Sequence, residues 1–116
     1  FTGATNDYWY GNSISYTGVG ASLGTTAKTY GTGTSLSHAV TKTDPALVIV
    51  QCFSSQQNNP PGIGAVSGGT PRTNGYNNNG GYGNPNVAIT TSDVSTTFTA
   101  TQAATTWASI ALLLQP

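Results

Sequence analysis

The chain has 116 residues, a formal net charge of zero and 5% charged side chains, three basic and three acidic. A chain of this length builds one domain around one core, and three cations are too few to bind a nucleic-acid backbone. No apolar run reaches the roughly 18 residues of a membrane span, so we expect neither a nucleic-acid partner nor a membrane span.

The chain begins at Phe1, without a methionine and without an apolar leader. We interpret this start as a processed end or as a boundary inside a longer polypeptide. Residues 1–116 would then be a single domain, the C-terminal portion of that polypeptide. An aromatic cluster follows at residues 8–10, and we favour packing over recognition as its role.

The first half of the chain predicts three strands. Residues 12–17 and 35–40 alternate between polar and apolar side chains, which is typical of half-buried strands. Residues 46–54 are apolar on both faces, as in a central strand that is covered on each side. The Asp44-Pro45 pair just before this strand is a turn signal.

The second half predicts a weak strand at residues 65–73, where glycines and a proline interrupt the pattern. Residues 87–91 and 95–100 are predicted to pair with each other through a turn at Ser92-Asp93. Residues 107–114 form the last predicted strand, because β-branched and apolar side chains outweigh the weak helical tendency of the preceding stretch.

Short strands at regular spacing, with glycine-, asparagine- and proline-rich connections at 18–33, 56–64 and 74–86, indicate an all-β fold. We predict an antiparallel two-layer β-sandwich of immunoglobulin-like or jelly-roll-like type. The predicted core comprises Ile14, Tyr16, Leu36, Val40, Val48, Ile49, Val50, Phe53, Phe98, Trp107, Ile110 and Leu112.

A G-x-S-x-G pattern at residues 20–24 is the strongest hint of catalysis. Its Ser22 should open a helix and be followed by an acid and then a histidine. No helix pattern follows, and no acid separates Ser22 from His38, the one histidine in the chain. A triad in another chain order, with Asp44, remains an open alternative.

The remaining titratable residues favour structural roles. We expect His38 to be a buried, hydrogen-bonded imidazole and Cys52 to be a small buried apolar side chain. Asp44 and Asp93 lie at predicted turns, and the chain lacks glutamate and zinc-ligand spacing. We therefore predict no catalytic residue, no cofactor and no metal site.

Two tyrosines, Tyr76 and Tyr82, lie in the asparagine- and glycine-rich segment 74–86. Tyrosine, asparagine, serine and glycine are typical of binding loops, because tyrosine supplies rigid contact area and asparagine adaptable hydrogen bonds. We interpret these tyrosines as candidates for surface recognition, and packing against the sheet is an equally open alternative.

Several segments in fixed order resemble a known family: SISYTGV at 13–19 with YGTGTSLSH at 30–38, ALVIVQCF at 46–53, and WASIALLL at 107–114. This arrangement resembles the β-sandwich domains in minor tail proteins of phages that infect actinobacteria such as mycobacteria. A broader set of secreted bacterial β-sandwich domains shares it. The resemblance covers roughly residues 13–114.

The resemblance implies a non-enzymatic component of a virion tail that assembles with other tail subunits or touches the host envelope, including its glycans. It offers no catalytic residue. Such domains have further strands ahead of the first segment, so we expect the sheet edge beside residues 5–17 to be completed by upstream residues or by a neighbouring subunit. A homo-oligomer, for example a trimer, would follow.

Two other functions remain open. A bacterial extracellular adhesin, or a fibre or pilus subunit built from β-sandwich domains, fits the same polar and nearly uncharged composition. An esterase that uses Ser22 is the third hypothesis. The leading reading, a structural or host-binding component of a phage tail, places the chain in the virion, whereas the second places it outside or on the surface of a cell.

Overall fold

The computed structural model describes residues 12–20, 23–57, 62–76 and 84–116, and these form an all-β fold without a helix. The five strands are β1 (Leu23–Ala39), β2 (Val48–Gln57), β3 (Thr70–Tyr76), β4 (Asn84–Ser92) and β5 (Thr97–Leu114). They form one antiparallel sheet in the order β1-β5-β2-β4-β3. The predicted fold class is confirmed.

Strand β2 lies at the centre of the sheet, as its apolar sequence predicts. Its inward-facing positions, Ile49, Gln51 and Phe53, are fully buried. The alternate positions, Val50 and Cys52, lie on the other face and are half-buried. We call the face that carries the core the inner face and the opposite one the outer face.

The two longest strands, β1 and β5, form a ribbon that is interrupted once in its middle. Gly33 pairs with Thr105 and Ser35 pairs with Thr101, so β5 uses more residues than β1 across this irregularity. Gln102 Nε2 donates to the carbonyl oxygens of Gly33 and Thr105 at 3.0 and 3.1 Å. Gly33 has φ of +110°, a conformation that side chains with a Cβ rarely adopt. A β-bulge of this kind bends a strand.

The ribbon folds back at this bulge and produces two layers from one sheet. His38 pairs with Phe98 in the ribbon, whereas Ser109 lies eleven residues further along β5. An extended strand would separate these positions by roughly 35 Å, yet His38 Nδ1 lies 2.7 Å from Ser109 Oγ. The two-layer arrangement is therefore present as one folded sheet rather than as two separate sheets.

The core lies between the layers and is closed by residues of the segment that precedes β3. It consists of Leu36, Val40, Leu47, Ile49, Phe53, Ile63, Val66, Ala88, Phe98, Ala100, Ala111 and Leu113, with Ala27 and Trp107 packed against it. The Phe53 and Trp107 rings meet edge to face, with centroids 5.9 Å apart. Five of the predicted core residues are confirmed as buried: Leu36, Val40, Ile49, Phe53 and Phe98.

The other predicted core residues are not fully buried. Ile110 is 50% exposed, and the following are half-buried: Ile14, Tyr16, Val48, Val50, Trp107 and Leu112. The two-residue period of β5 explains the difference, because it sends Ser109, Ala111 and Leu113 to the core and Ile110 to the outer face.

The prediction of a strand at residues 12–17 is wrong, because this segment pairs with no strand. Residues 12–20, which we call the strap, instead have contacts at both ends. The side-chain amide of Asn12 donates to Thr73 Oγ1 on the outer face of β3. The backbone amide of Gly20 donates to the Gln115 carbonyl oxygen at 2.7 Å, just beyond β5. The strap therefore runs across the outer face. The sheet edges of the described residues are consequently β1 and β3, not the segment 12–17.

Three further connections differ from prediction. Strand β3 ends at Tyr76 and β4 begins at Asn84, so both extend into the predicted loop 74–86. Strand β1 begins at Leu23, inside the predicted loop 18–33, because β5 pairs with these glycine- and threonine-rich residues along their length. Strands β4 and β5 are consecutive but do not pair with each other, since β2 lies between them. The turn that joins them is held by Ser92 Oγ, which accepts from the amides of Val94 and Ser95 at 3.2 and 2.7 Å.

Candidate functional site

A polar cluster lies inside the protein, where the two layers meet at Ser109. The Ser109 hydroxyl lies 2.7 Å from His38 Nδ1 and accepts from Gln51 Nε2 at 2.8 Å. It donates to the Cys52 carbonyl oxygen at 2.9 Å. All three side chains are buried: His38 is 2% exposed, Gln51 0% and Ser109 5%. We call these three side chains the Ser109 cluster.

The contacts of Ser109 favour one tautomer of the His38 imidazole. A serine hydroxyl has one proton and two acceptor sites. The proton goes to the Cys52 carbonyl, and the Gln51 amide occupies one acceptor site. With these two contacts made, the second acceptor site is left for His38, and on this basis we assign the imidazole proton to Nδ1. Burial lowers the pKa of His38 below its usual value, so the imidazole is neutral at pH 7.

The distance between Ser109 and His38 suits a nucleophile and its base, but the hydrogen bonds do not. In such a pair the histidine accepts the serine proton, whereas in the assigned tautomer the serine accepts from the histidine. Both acceptor sites of the Ser109 hydroxyl are occupied, and the cluster is closed to solvent. The arrangement joins the two layers through hydrogen bonds.

The predicted role of His38 is confirmed, since the imidazole is buried and hydrogen-bonded. Ser109 and Gln51 were missed by sequence reasoning. Each stands at an inward position of an apolar strand, and a polar residue at such a position is the signal that could have identified them. Ser22 lies outside the described residues, so the esterase hypothesis stays untested.

The two aspartates of the described turns take structural roles. Asp44 Oδ1 accepts from the Ala46 amide at 2.8 Å, which is the Asx-turn geometry expected of this residue. Asp93 lies exposed in the turn between β4 and β5, and its carbonyl oxygen accepts from Lys42 Nζ at 2.6 Å. Lys42 Nζ also donates to the Pro45 carbonyl oxygen at 2.8 Å and so connects the two turns.

Cys52 is a free thiol on the outer face and is half-buried, less enclosed than predicted. Burial raises the pKa of this thiol. The cysteine lies in a row of paired residues that crosses all five strands: Lys28, Ile110, Cys52, Ile89 and Thr73. Three of the five are apolar or weakly polar side chains, so the outer face is also partly apolar.

The part of the strap around Tyr16 covers the β3–β4 end of this outer face. The Tyr16 hydroxyl is buried, and this burial raises its pKa, while the Arg72 guanidinium acts in the opposite direction. Arg72 Nε donates to Thr91 Oγ1 at 2.7 Å, on the outer face of β4. The strap residue Tyr16 therefore lies beside the β3–β4 end of the sheet.

The opposite end of the outer face, along β1 and β5, is open to solvent. Tyr30 is 85% exposed and Ile110 is half-exposed. We call this exposed group the outer patch, and it comprises Lys28, Tyr30, Thr32, Thr106, Ala108 and Ile110. It combines apolar and hydroxyl side chains with a single charge, which is a surface suited to contact with another protein.

The tyrosines chosen from the sequence lie elsewhere. Tyr82 falls outside the described residues, and Tyr76 is the last residue of β3, with a side chain that is also outside the description. Their recognition role stays a prediction. A separate shallow groove on the second layer is lined by hydroxyl and small side chains: Ser35, Leu36, Ser37, Ala65, Ser67, Thr99, Ala100 and Thr101.

Within the described ranges, no three histidine, cysteine, aspartate or glutamate residues come close enough to hold a metal ion. The same part of the chain has no helix long and apolar enough to cross a membrane. Comparison of the chain with protein-family models, with curated proteins and with solved structures gives no match. The function is therefore argued from the residues and their geometry.

Proposed function

We propose that the chain is a non-enzymatic structural module of a phage tail, located in the virion and built to pack against other tail subunits. The observation that carries this proposal is the nearly uncharged surface of the two longest strands. Strand β5 has 18 residues and no charge, and β1 has 17 residues and one charge, Lys28.

A surface of this kind is unusual for a domain that works alone. Soluble domains keep apart from each other with a surface of which about a quarter to a third is charged. The exposed positions of β5 hold threonine, alanine and isoleucine instead: Thr97, Thr99, Thr101, Ala103, Ala104, Thr106, Ala108 and Ile110. Little charge needs to be desolvated when such a surface is buried against a neighbour, and this supports a role in assembly.

The Ser109 cluster supports the non-enzymatic part of the proposal. The serine–histidine contact of the described residues is closed to solvent, and Ser109 Oγ has three hydrogen-bond partners there. Its geometry serves cohesion between the layers. The choice of a phage tail as the assembly is supported by sequence pattern alone, through the segments that resemble phage tail domains.

The location is tested by fractionating a culture that produces the chain, tagged at Pro116, on a density gradient. We expect the tag in the fraction that contains phage particles, and in negative-stain images we expect antibody label on the tails. Recovery with the cell surface and not with particles would contradict the proposal and support the adhesin or fibre hypothesis.

The enzymatic alternative is tested with a nitrophenyl ester. We expect no hydrolysis above that of a Ser22→Ala variant. Hydrolysis that disappears in Ser22→Ala and persists in Ser109→Ala would overturn the non-enzymatic proposal and identify Ser22 as the nucleophile.

A host-envelope glycan is the proposed ligand of the segment that contains Tyr76 and Tyr82. Tyrosine supplies rigid aromatic contact area and asparagine adaptable hydrogen bonds, and both are frequent in this segment of the sequence. We expect Tyr76→Ala and Tyr82→Ala to weaken binding to isolated host envelope, measured by a pull-down assay. Val94→Ala, which removes an exposed apolar side chain in the turn between β4 and β5, is the control and should leave this binding unchanged.

A further inference from the structure

The two edges of the sheet differ in how they are protected against pairing with another strand. The β3 edge carries Pro71, which cannot donate a backbone hydrogen bond, and a register irregularity between Pro71 and Thr73. The exposed Arg72 lies at the same place. Proline, bulges and charges are the features that prevent edge-to-edge association.

The β1 edge lacks most of these features. From Thr26 to Gly33 its register with β5 is continuous, without proline and with one charge, Lys28. No described strand pairs with β1 along the edge that points away from β5. A regular, nearly uncharged edge of this length presents a row of backbone donors and acceptors to a further strand.

Exposed apolar side chains lie next to this edge. Tyr30 is on β1 itself, and Ile110 is on β5, directly opposite Lys28. The other large apolar side chains left exposed in the described residues, Val19 and Val94, lie outside the strands, in the strap and in a turn. Within the described sheet, exposed large apolar side chains are thus concentrated beside the unprotected edge.

We propose that β1 pairs with β1 of a second copy of this chain, antiparallel and around a two-fold axis close to Tyr30, so that two sheets become one ten-stranded sheet. This deepens the proposed function, on which it rests, by naming one assembly surface. A regular edge pairs best with another strand that is equally regular and carries little charge. The β1 edge of a second copy is such a strand. A two-fold axis satisfies both edges at once.

The side chains are compatible with this pairing. Paired residues in an antiparallel sheet share a face, so the axis passes at Thr29 or at Tyr30 if the regular stretch is to pair with itself. Lys28 then lies opposite Tyr30 or Thr32 of the second copy, and never opposite the other Lys28. Each Tyr30 ring gains a neighbour on the outer face, which covers the most exposed aromatic side chain of the described residues.

The test is the oligomeric state of residues 1–116, measured by sedimentation equilibrium from about 1 μM to about 1 mM. We expect a monomer–dimer equilibrium. Tyr30→Lys places like charges at the two-fold axis and should weaken dimerisation at least tenfold while the thermal midpoint stays within a few degrees. Thr106→Lys is the matched control, because it adds the same charge to the same face one strand away from the edge, and it should leave the dimer intact.

Hydrogen exchange supplies a second measurement. Every other backbone amide between Thr26 and Gly33 points away from β5, and we expect these amides to be protected only at concentrations at which the dimer forms. A monomer at about 1 mM overturns the inference, as does a dimer that Tyr30→Lys and Thr106→Lys affect equally. A chain found in virions but monomeric overturns this inference alone, whereas a dimeric chain that is absent from virions overturns the proposed function alone.

Discussion

At the residue scale, the Ser109 hydroxyl connects the two layers through hydrogen bonds. Ser109 Oγ contacts His38 from the second layer, and Gln51 and the Cys52 carbonyl from the central strand. Without this oxygen, the two buried donors would lose this partner, and the Cys52 carbonyl would lose one donor. Buried polar groups without partners cost about 1–3 kcal/mol each, so the hydroxyl contributes more than its size suggests.

We therefore expect Ser109→Ala to lower the free energy of unfolding by about 2–4 kcal/mol. Urea unfolding followed by far-UV circular dichroism would measure this change. Ser54→Ala is the matched control, because Ser54 lies on β2 with an exposed side chain, and this substitution should change stability by less than about 0.5 kcal/mol. Equal effects of the two substitutions would show that the Ser109 cluster contributes nothing to cohesion.

The buried imidazole predicts how stability changes with pH. Burial lowers the pKa of His38 in the folded state, so the unfolded chain binds a proton first as the pH falls. Above about pH 6.5, the usual pKa of histidine, both states are neutral and stability is at its full value. Below that pH the unfolded state is stabilised, until the folded imidazole is protonated as well.

We expect the free energy of unfolding to fall between about pH 7 and pH 5 with a slope of at most about 1.4 kcal/mol per pH unit. His38→Gln keeps a polar side chain without a titration in this range, and its stability should be lower but nearly independent of pH there. A slope that remains in His38→Gln would assign the effect to another group.

Thr90 lies on the inner face, paired with Gln51, and its buried hydroxyl has no hydrogen-bond partner. Thr90→Val replaces the hydroxyl with a methyl group of similar size and removes the cost of burying it. We expect the thermal midpoint to rise, with a gain of about 1 kcal/mol. A loss of stability would mean that the hydroxyl has a partner in solution.

At this scale the sequence was informative about His38 and uninformative about its partner. The alternation of residues 35–40 places an imidazole on an apolar face, and burial with a hydrogen bond follows from that position. Ser109 is seventy-one residues away in the chain. Its contact depends on the fold-back of the ribbon, which no local pattern encodes.

At the scale of elements, the sequence predicts a strand well where buried apolar side chains stabilise it. It predicts a strand poorly where pairing with a distant strand stabilises it. Residues 46–54 and 107–114 are rich in Val, Ile and Leu and form β2 and the end of β5, as predicted. The first ten residues of β1 are mostly glycine, threonine and alanine. Their strand conformation depends on β5 beside them. The strand order, with β2 between β4 and β5, likewise depends on long-range pairing.

The bulge between the two halves of the ribbon is the element that creates two layers. Gly33 has φ of +110°, and the space around a Cβ at this position is open. We therefore expect Gly33→Ala to lower the free energy of unfolding by about 1–2 kcal/mol, because alanine is strained in this backbone conformation. Thr34→Ala, on the exposed neighbour, is the control and should be nearly neutral in thermal unfolding.

Gln102 holds the same bulge from the other strand through its two hydrogen bonds to carbonyl oxygens. We expect Gln102→Leu to cost about 1–3 kcal/mol, because both carbonyls lose a donor. Combined with Gly33→Ala, the loss should be less than additive, since both substitutions disturb one bend. Full additivity in urea unfolding would show that the two residues act independently.

At the scale of the whole molecule, one folded sheet implies one cooperative unit. The central strand β2 contributes to the core through Phe53, to the Ser109 cluster through Gln51, and to the outer face through Cys52. Since β5 passes through both layers, neither layer can lose its strands without the other. The sequence predicted a sandwich, and its origin in a single bent ribbon follows from the long-range register alone.

Cys52 offers a direct test of this cooperativity, because it is the one cysteine in the sequence. Its thiol is half-buried and its pKa is raised by burial, so the reactive thiolate is scarce in the folded state. We expect slow alkylation at pH 8 without denaturant, and a rise in rate over the same urea range in which the strand signal of circular dichroism is lost. Thr106→Cys in a Cys52→Ala background is the control, and this exposed position should react fast at every urea concentration. Labelling of Cys52 well before the loss of strand signal would show that the outer face opens on its own, and that the two layers do not unfold as one unit.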